Sequence, residues 1–476
     1  MNEVMSLKSS FFSKFSFFRL FFLLFGIGIV LLCWIWSCVE QNNFTEYKGT
    51  TSEEQELNQV IAQWNSLWLE LERHTEGYRP PVAARAYAYI GIGAYESALP
   101  IFPEKQSIYT LLTKQNLPTF PSNTTFYSPA AVNSAYAYLF KKTFVTTEVA
   151  QWQKISALER RFNQTFTTAI DSSTFHQTQQ YGFSIATAIW KWSMSDTIGH
   201  QGVLKNFDPS YTISIKKETW KPDADHPMPA LLPQWGKTRS FFLDNNTLLA
   251  HPPIAYSEDL TSPYYKQAFE VYSLTTPISK ENKWIAEFWS DDHTGLTFTP
   301  ASRWISIAQQ LIAQQKTSAE QALELYAKLG MSLCDASIAC WYSKYHYNIE
   351  RPKQYIQQVI NPNWVALSDS PPFPSYPSGH ATFGAAATVI LGSFYSDKIH
   401  FTDKSHKDRT EFNGAPRTFT SLQEMASENA YSRLVLGVHT RMDCEEGLRL
   451  GKSVAQKIAN LNLNLQKEHE KLVSGK

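Results

Sequence analysis

Apolar side chains recur every three or four residues along most of this chain after residue 55, which is the period of an amphipathic helix. Residues 56–73 illustrate the period with five apolar side chains on one helical face: Leu57, Ile61, Trp64, Leu67 and Leu71. The same period recurs in residues 82–98, 129–144, 149–170, 178–194, 281–290, 301–315, 317–343, 380–395, 422–438 and 443–463. Strand-like alternation is scarce, so the pattern predicts an all-α protein.

Three connectors interrupt the helical pattern, at residues 100–128, 197–262 and 361–377, and all are rich in Pro, Asn, Asp and Ser. With 476 residues the chain exceeds the roughly 250 to 300 residues that one core usually serves. We therefore predict an N-terminal helical bundle at 56–275, a C-terminal bundle at 276–465 that carries the active site, and a charged tail at 466–476. The middle connector is long enough to be a lid or a crossover between bundles.

The N-terminus has the pattern of an export signal, with Lys8, Lys14 and Arg19 ahead of the continuously apolar residues 20–37. Residues 1–37 are predicted to be a signal peptide or a membrane anchor, and 38–55 a polar tether. The letters IWSC, which end at Cys38, resemble a bacterial lipoprotein cleavage box. Cleavage with lipid attachment at Cys38 is therefore favoured over an uncleaved anchor. Either outcome places the body in the periplasm or on the cell surface, joined to a membrane only through the N-terminus.

The charge balance argues against a polyanionic partner. Lys plus Arg and Asp plus Glu number 43 each, and no segment collects one sign into a long stripe. Neither nucleic acid nor an anionic membrane surface is therefore an expected partner, and a small ligand is favoured. The glycines of GIGAYESA at 91–98 could suggest a nucleotide loop, but no strand precedes them, so close helix packing is the preferred interpretation.

Three short segments carry the candidate chemistry: KYHYNIERP at 344–352, PSGH at 377–380 and SRLVLGVHTRMD at 432–443. They supply three fixed cations, a hydroxyl, a glycine amide, two histidines and a carboxylate. The residues are Lys344, Arg351, Arg433, Ser378, Gly379, His380, His439 and Asp443. Such a set is suited to holding a tetrahedral oxyanion.

The spacing within these segments supports a common pocket. Lys344 and Arg351 are seven positions apart, which predicts two turns of one helical face, with Pro352 ending that helix. The prolines of 371–377 would stiffen the approach to Ser378 and Gly379, which we place at a helix N-terminus, where free amides and the helix dipole favour an anion.

The last segment contains a histidine with a carboxylate at helical spacing. His439 and Asp443 are four positions apart, so they are predicted to share a helix face, with the carboxylate orienting the ring. Arg433, six residues before His439, could point into the same pocket.

Taken together, the three segments resemble the motif set of the type 2 phosphatidic acid phosphatase and vanadium haloperoxidase superfamily, over about 100 residues of the C-terminal half. The resemblance implies a vanadate cofactor, with no haem or flavin. His439 would be the axial ligand of the vanadate, and His380 the general acid–base. The residues neutralising the oxyanion would be Lys344, Arg351, Ser378, Gly379 and Arg433, with Lys344 also polarising the reacting oxygen.

Several features favour the haloperoxidase branch, similar to the fungal chloroperoxidases. The chain is long enough for two bundles, and after residue 40 it contains no apolar run like those of polytopic lipid phosphatases. Trp341 and Phe373 resemble the aromatic pair on the halide side of that pocket, although ordinary core packing explains them equally well. Within 286–303, Asp291 or Asp292 is expected to pair with a pocket arginine, or else to be a solvated loop carboxylate.

The sequence therefore predicts an exported vanadium-dependent haloperoxidase. Its substrates would be hydrogen peroxide and a halide, and could include an organic acceptor. The first alternative is a periplasmic acid phosphatase that forms a phosphohistidine at His439 in the same pocket. The second is a surface protein that binds vanadate or phosphate without catalysis, although two intact histidines exceed what binding alone requires.

Overall fold

The computed structural model describes residues 51–214 and 216–465. The predicted signal or anchor at 1–37, the lipid attachment at Cys38, most of the polar tether and the tail at 466–476 lie outside the described residues. Within the described part of the chain, no helix combines the length and the apolar character needed to cross a membrane.

The described residues are mainly helical, and the predicted all-α fold is confirmed. The helices are α1 Ser52–His74, α2 Pro80–Ala98, α3 Ile108–Thr113, α4 Ser128–Thr143, α5 Val149–Ala169, α6 Ser172–Met194, α7 Thr197–Gln201, α8 Asn245–Leu248, α9 Pro263–Thr275, α10 Lys280–Phe288, α11 Pro300–Gln315, α12 Ala319–Tyr347, α13 Pro352–Val359, α14 Gly379–Phe394, α15 Leu422–Val435 and α16 Arg441–Ala459. Short 3-10 turns occupy Leu99–Ile101 and Trp235–Lys237. The strands β1 Phe401–Asp403 and β2 Arg417–Phe419 pair antiparallel, with Phe401 opposite Phe419. Each segment predicted from the apolar period overlaps one of these helices.

Helix α12 forms the centre of the fold and packs against α2, α14 and α16. Small residues allow α2 and α12 to approach closely. A Cβ atom at Gly91 would lie 3.0 Å from the carbonyl oxygen of Tyr326, and one at Gly330 would lie 2.7 Å from the Cα atom of Ala88. The glycines of 91–98 therefore serve helix packing, as predicted, and not a nucleotide loop.

The contact between α14 and α16 brings two helix N-termini together. A Cβ atom at Gly447 would lie 2.7 Å from the carbonyl oxygen of Ser378, so α16 can pass the start of α14 only with glycine there. The Ser378 amide donates to the carbonyl oxygen of Asp443 at 2.8 Å. The segments containing PSGH and His439 consequently meet at one end of the fold.

The described residues belong to one compact unit, and α2 from the N-terminal half packs on α12 from the C-terminal half. The division into two bundles near residue 275 stays a prediction. The long connector at 197–262 lies partly along α12. The Asp335 carboxylate accepts hydrogen bonds from the backbone amides of Phe241 and Phe242, at 2.8 and 2.7 Å. The indole N–H of Trp235 donates to the Ser337 hydroxyl at 2.9 Å.

A buried ion pair joins α11 to β1. The Arg303 guanidinium, which is fully buried, lies 2.9 Å from the Asp403 carboxylate. Replacing Asp403 with alanine is expected to lower the free energy of unfolding by about 3 kcal/mol, because the arginine would lose its closest counter-charge inside the protein. Urea denaturation measures the loss.

Asp408 provides a matched control, because it lies 4.0 Å from Lys407 and its side chain is 87% exposed. Asp408→Ala is expected to change the free energy of unfolding by less than about 0.5 kcal/mol. Equal losses in the two variants would show that the buried pair stabilises the fold no more than a surface pair does.

Candidate active site

The start of α14 matches the prediction. Ser378 is the N-cap residue, and its hydroxyl accepts the Ala381 amide at 3.4 Å, while Gly379 is the first helical residue. Amides in the first turn of a helix have no partner within the helix, and the dipole makes this end positive. The start of α14 can therefore bind an anion.

The proline-rich approach to Ser378 also holds Lys344. The ammonium group donates to the carbonyl oxygens of Pro374, Ser375 and Pro377, at 2.9, 2.8 and 2.6 Å. Lys344 is completely buried and forms no ion pair among the described residues. Each of its three N–H donors thus has a main-chain acceptor. To contact an anion, Lys344 would have to replace one of these hydrogen bonds with a hydrogen bond to the anion.

Arg351 occupies a different element from the predicted one. Helix α12 ends at Tyr347, because Asn348 adopts a left-handed conformation with φ of 53° that asparagine tolerates. Arg351 is the residue before α13, and Pro352 begins that helix, in the position where proline is favoured. The predicted continuous helix through Lys344 and Arg351, ended by Pro352, is therefore wrong.

Arg351 nevertheless reaches the pocket. Its Nε donates to the Phe373 carbonyl at 3.0 Å, and its Nη1 donates to the Val438 carbonyl at 2.9 Å and lies 3.2 Å from Nε2 of His439. The remaining nitrogen, Nη2, is buried and has no hydrogen-bond partner. A buried unpaired donor is costly, so a ligand oxygen at this position would be favourable.

Arg433 lies at the end of α15 and faces the start of α14. Its Nε donates to the Ser432 hydroxyl at 2.9 Å, and its Nη2 donates to the Trp289 carbonyl. Nη1 is 3.2 Å from Nε2 of His380. The structure thus brings Arg433 and His380 together, and Trp289 is a contributor that the sequence motifs did not indicate.

His439 and Asp443 are also in contact, but they do not share a helix face. His439 lies before α16, Thr440 is the N-cap residue, and Asp443 is in the first turn. The Asp443 carboxylate lies 3.1 Å from Nδ1 of His439 and also accepts the Thr440 amide at 2.9 Å. Helix capping places the carboxylate, so the predicted helix-face geometry is wrong although the predicted pairing is correct.

Ser375 completes the support of His439. Its hydroxyl donates to the Asp443 carboxylate at 2.6 Å and lies 3.3 Å from Nδ1 of His439. Both Ser375 and Asp443 are buried. Nothing in the motifs indicated this serine beyond its place in the proline-rich approach. With Nδ1 occupied, Nε2 is the ring nitrogen that can bind a ligand atom.

In the described part of the chain, the three cations of the pocket have no carboxylate in direct contact, although Asp443 lies near Lys344 and Arg351, and Asp291 lies near Arg433. Among the described residues, none of Lys344, Arg351 and Arg433 forms an ion pair, although all three are buried. Burial, followed by the charges of these three cations, lowers the pKa of His439 well below its usual value. Burial and Arg433 lower the pKa of His380 in the same way. The pocket is therefore suited to a multiply charged anion beside neutral histidines.

The aromatic pair lies against the cations. The rings of Trp341 and Phe373 are 5.0 Å apart, and both are buried. The Lys344 ammonium is 5.0 Å from the Phe373 ring centre, and the Arg351 guanidinium is 4.8 Å from it. Phe373 thus forms cation–π contacts with two pocket residues, which goes beyond ordinary core packing.

The expected contact of Asp292 with a pocket arginine is not present. Asp292 has a φ of 75° and pairs with Arg79, at the start of α2, at 2.7 Å. Asp291 instead contacts Arg303 at 3.4 Å and His406 at 3.1 Å. The left-handed turn at Asp292 separates the directions of the two carboxylates, so the prediction for Asp292 is wrong.

The residues present fit a bound oxyanion such as vanadate. Three buried cations without a direct ion pair in the described part of the chain, an unpaired Arg351 nitrogen and the start of α14 supply donors for its oxygens, and Nε2 of His439 supplies a nitrogen ligand. The part of the chain that the structure describes has no cluster of three or more His, Cys, Asp or Glu side chains suited to a bare metal ion.

The buried ammonium of Lys344 predicts a pH dependence for anion binding. Burial lowers the pKa of Lys344 to about 7. The charged form predominates below this pKa, so affinity for sulfate is expected to fall as the pH rises through about 7. Sulfate keeps its charge in this range, and isothermal titration of the full chain can measure it.

Lys344→Arg is the matched variant, since arginine does not lose its proton in this range. The fall in sulfate affinity should be absent from this variant. A fall of equal size in both proteins would exclude Lys344 as its cause.

Fold and site together define a helical protein with a cationic, histidine-containing pocket for a tetrahedral oxyanion. Residues 324–468 match a family model described as the VCPO second helical-bundle domain. The crystal structure of the first bacterial vanadium-dependent iodoperoxidase is similar, with a TM-score of 0.78 and 27% identity, and the match covers 86% of this chain and 98% of that chain. The holo form of a bacterial vanadium-dependent chloroperoxidase, at 15% identity and a TM-score of 0.63, shares the fold; that match covers 81% of this chain and 92% of that one.

Curated proteins give the same result. Vanadium chloroperoxidase of Curvularia inaequalis is 26% identical over 277 residues, covering 44% of this chain and 46% of that protein. A vanadium-dependent bromoperoxidase of Ascophyllum nodosum is 39% identical over 95 residues, covering 18% of this chain and 17% of that protein. The chain thus spans less than half the length of these relatives. The comparisons support a vanadium haloperoxidase, and the resemblance predicted from the motifs is confirmed.

Proposed function

We propose that this protein oxidises halide ions with hydrogen peroxide at a vanadate held by His439. The observation that carries the proposal is the position of His439, whose Nδ1 lies 3.1 Å from the Asp443 carboxylate and whose Nε2 lies 3.2 Å from the buried guanidinium of Arg351. When bound, vanadate would activate hydrogen peroxide toward the halide, so no haem or flavin is needed. The halide named for the similar structure is iodide, which makes iodide the first substrate to test.

His439 can act as a ligand because its protonation is controlled. The Asp443 carboxylate favours the tautomer in which Nδ1–H donates a hydrogen bond to it, and this tautomer has its lone pair on Nε2. Burial and the neighbouring cations keep the ring neutral. The contact of Nε2 with Arg351 would be exchanged for the bond to the cofactor, and the arginine would then bind a cofactor oxygen.

The cations and the start of α14 neutralise the charge of the oxyanion. Lys344, Arg351 and Arg433 are fixed by main-chain carbonyls of Pro374, Phe373 and Trp289, so they are oriented before any ligand arrives. Preorganised donors of this kind stabilise developing charge without the cost of reorienting water. Ser378 and the Gly379 amide would complete the set.

His380 is suited to move a proton at the mouth of the pocket. It is only partly buried, in contrast to His439, and its Nε2 faces Arg433 at 3.2 Å. Its lowered pKa makes it a neutral ring that can accept a proton from peroxide and return it to a product.

One assay compares this proposal with the alternatives. The full chain, freed of bound oxyanions, is assayed with and without orthovanadate for peroxide-dependent oxidation of iodide, bromide and chloride, beside hydrolysis of a chromogenic phosphate ester. Vanadate-dependent halide oxidation with negligible ester hydrolysis is expected. Ester hydrolysis that vanadate inhibits would instead establish the phosphatase alternative, and vanadate binding without any turnover would establish the binding protein.

We propose in addition that the protein is exported and attached to a membrane through Cys38. The charged leader, the apolar residues 20–37 and the IWSC sequence support this proposal. Expression in a bacterium with labelled palmitate should give a labelled, membrane-associated protein, and Cys38→Ser should remove the label. Recovery of unlabelled full-length protein in the cytoplasm would contradict the proposal.

A further inference from the structure

A second cavity lies in the N-terminal half of the chain, between α2, α4, α6 and α7. It is open to solvent on one side and has a volume of about 180 Å³, and none of the residues lining it belongs to the oxyanion pocket. Aromatic and aliphatic side chains dominate its wall, among them Tyr78, Val82, Leu139 and Trp190. Two exposed apolar residues, Val145 at 61% and Leu204 at 68%, also line it. The cavity is therefore apolar and has an apolar entrance.

The buried charged group in the wall is already satisfied. Arg85 pairs with Asp196 at 3.0 Å and donates to the Ser193 carbonyl at 2.7 Å, so its charge is compensated. Lys142 is an exposed residue of α4, and its ammonium group lies 5.7 Å from the centre of the Tyr138 ring. An ionic ligand would therefore meet no unpaired charge in the buried part of the wall, and only Lys142 at its exposed side.

His200 is different, because its ring nitrogens have no hydrogen-bond partner in the described part of the chain. The ring packs edge to face against Trp190, with centroids 5.2 Å apart. Neither of these unpaired nitrogens is completely buried. His200 is consequently a polar group that remains open to a ligand in the cavity.

The protonation of His200 limits the ligand chemistry. Burial, and then the charge of Arg85, lowers the pKa of His200. At neutral pH the ring is therefore neutral, with one donor and one acceptor nitrogen. A hydroxyl group can both donate and accept, so it complements whichever nitrogen faces the cavity.

The volume sets the size of the ligand. An apolar protein cavity of about 150 Å³ accommodates a benzene molecule. The 180 Å³ found here exceeds that volume by enough for one substituent on a single ring. We propose that this cavity binds a small uncharged phenol, with its ring between Trp190 and Leu139 and its hydroxyl hydrogen-bonded to His200.

Calorimetric titration of the full chain with phenol and with toluene at neutral pH tests the proposal. The two probes have nearly the same size, and only phenol carries a hydroxyl. Saturable binding of both is expected, with phenol about fivefold tighter, since a single neutral hydrogen bond contributes roughly that much. Absence of saturable binding, or equal affinity for the two probes, would overturn the proposal.

Two substitutions locate the binding. His200→Leu should reduce the affinity for phenol to that for toluene or below it, because the phenol hydroxyl would lose its partner, and should leave toluene unaffected. His200→Gln should retain part of the preference for phenol. His176→Leu, on the exposed side of α6, is the matched control and should change neither affinity.

Ala86→Leu, which fills the cavity, should abolish binding of both probes, with folding checked by circular dichroism. Unaltered phenol binding in folded Ala86→Leu, or a preference for phenol that survives His200→Leu, would overturn the assignment. The binding test requires neither vanadate nor peroxide, so its result is independent of the halide oxidation proposed above.

Discussion

Replacing His439 with alanine is expected to reduce vanadate-dependent halide oxidation to the rate seen without vanadate, and to weaken vanadate binding by more than about 100-fold. Nε2 of His439 is the nitrogen that the site offers to the cofactor, and Ser375 and Asp443 serve to orient it. Loss of residues that only orient a ligand typically costs 10- to 100-fold in affinity, so loss of the ligand itself should cost more. Steady-state kinetics and vanadate titration measure both effects.

Asp443→Asn separates the ligand from its support. It retains a side-chain oxygen for the Thr440 amide but loses the negative charge beside Nδ1, and vanadate affinity should fall by about 10- to 100-fold. His400→Ala removes an exposed histidine and should leave both affinity and turnover unchanged. Full vanadate-dependent turnover in His439→Ala would exclude His439 as the ligand.

Replacing His380 with alanine is expected to lower the turnover number by about 10²- to 10⁴-fold while vanadate still binds. General acid–base groups typically contribute a factor of this size. Binding should survive because the three cations and the nitrogen of His439 remain, and because each of the cations keeps its main-chain acceptors. The two histidines should therefore differ, because His439 controls how tightly vanadate binds and His380 controls the turnover number.

The measurement is turnover at saturating vanadate beside a vanadate binding curve for the same preparation. Added imidazole is expected to restore part of the activity of His380→Ala, because a free base can enter the partly open space left by the ring. Unchanged turnover would remove His380 from the mechanism. Equal losses of binding and turnover would make it a binding residue.

Much of the fold followed from local patterns in the sequence. The apolar period predicted the helices because apolar residues spaced three or four positions apart form one face of a helix. This spacing can be read from each segment by itself. Ser378 and Gly379 were placed correctly at a helix start because N-cap preference is also local. The glycines of α2 were assigned to helix packing from local information as well, because no strand precedes them.

Other features depended on which segments meet. The spacing of Lys344 and Arg351 fitted one helix, but the left-handed Asn348 ended it, and Arg351 reached the pocket from the start of α13. Asp292 lay in a segment that resembled the pocket wall, yet its backbone turned it toward Arg79.

The sequence by itself determined the helices and the inventory of an oxyanion site, because periodicity, capping and residue chemistry act over a few neighbouring positions. Tertiary structure determined which groups hold the site side chains in position. These groups are the Trp289 carbonyl that accepts from Arg433, the Ser375 hydroxyl beside His439 and the carbonyls that accept from Lys344. Tertiary structure also decided that, among residues 51–214 and 216–465, no carboxylate forms a direct ion pair with the three cations. These contacts join residues distant in the chain, and their energies depend on distance and burial, which exist only after the helices have packed.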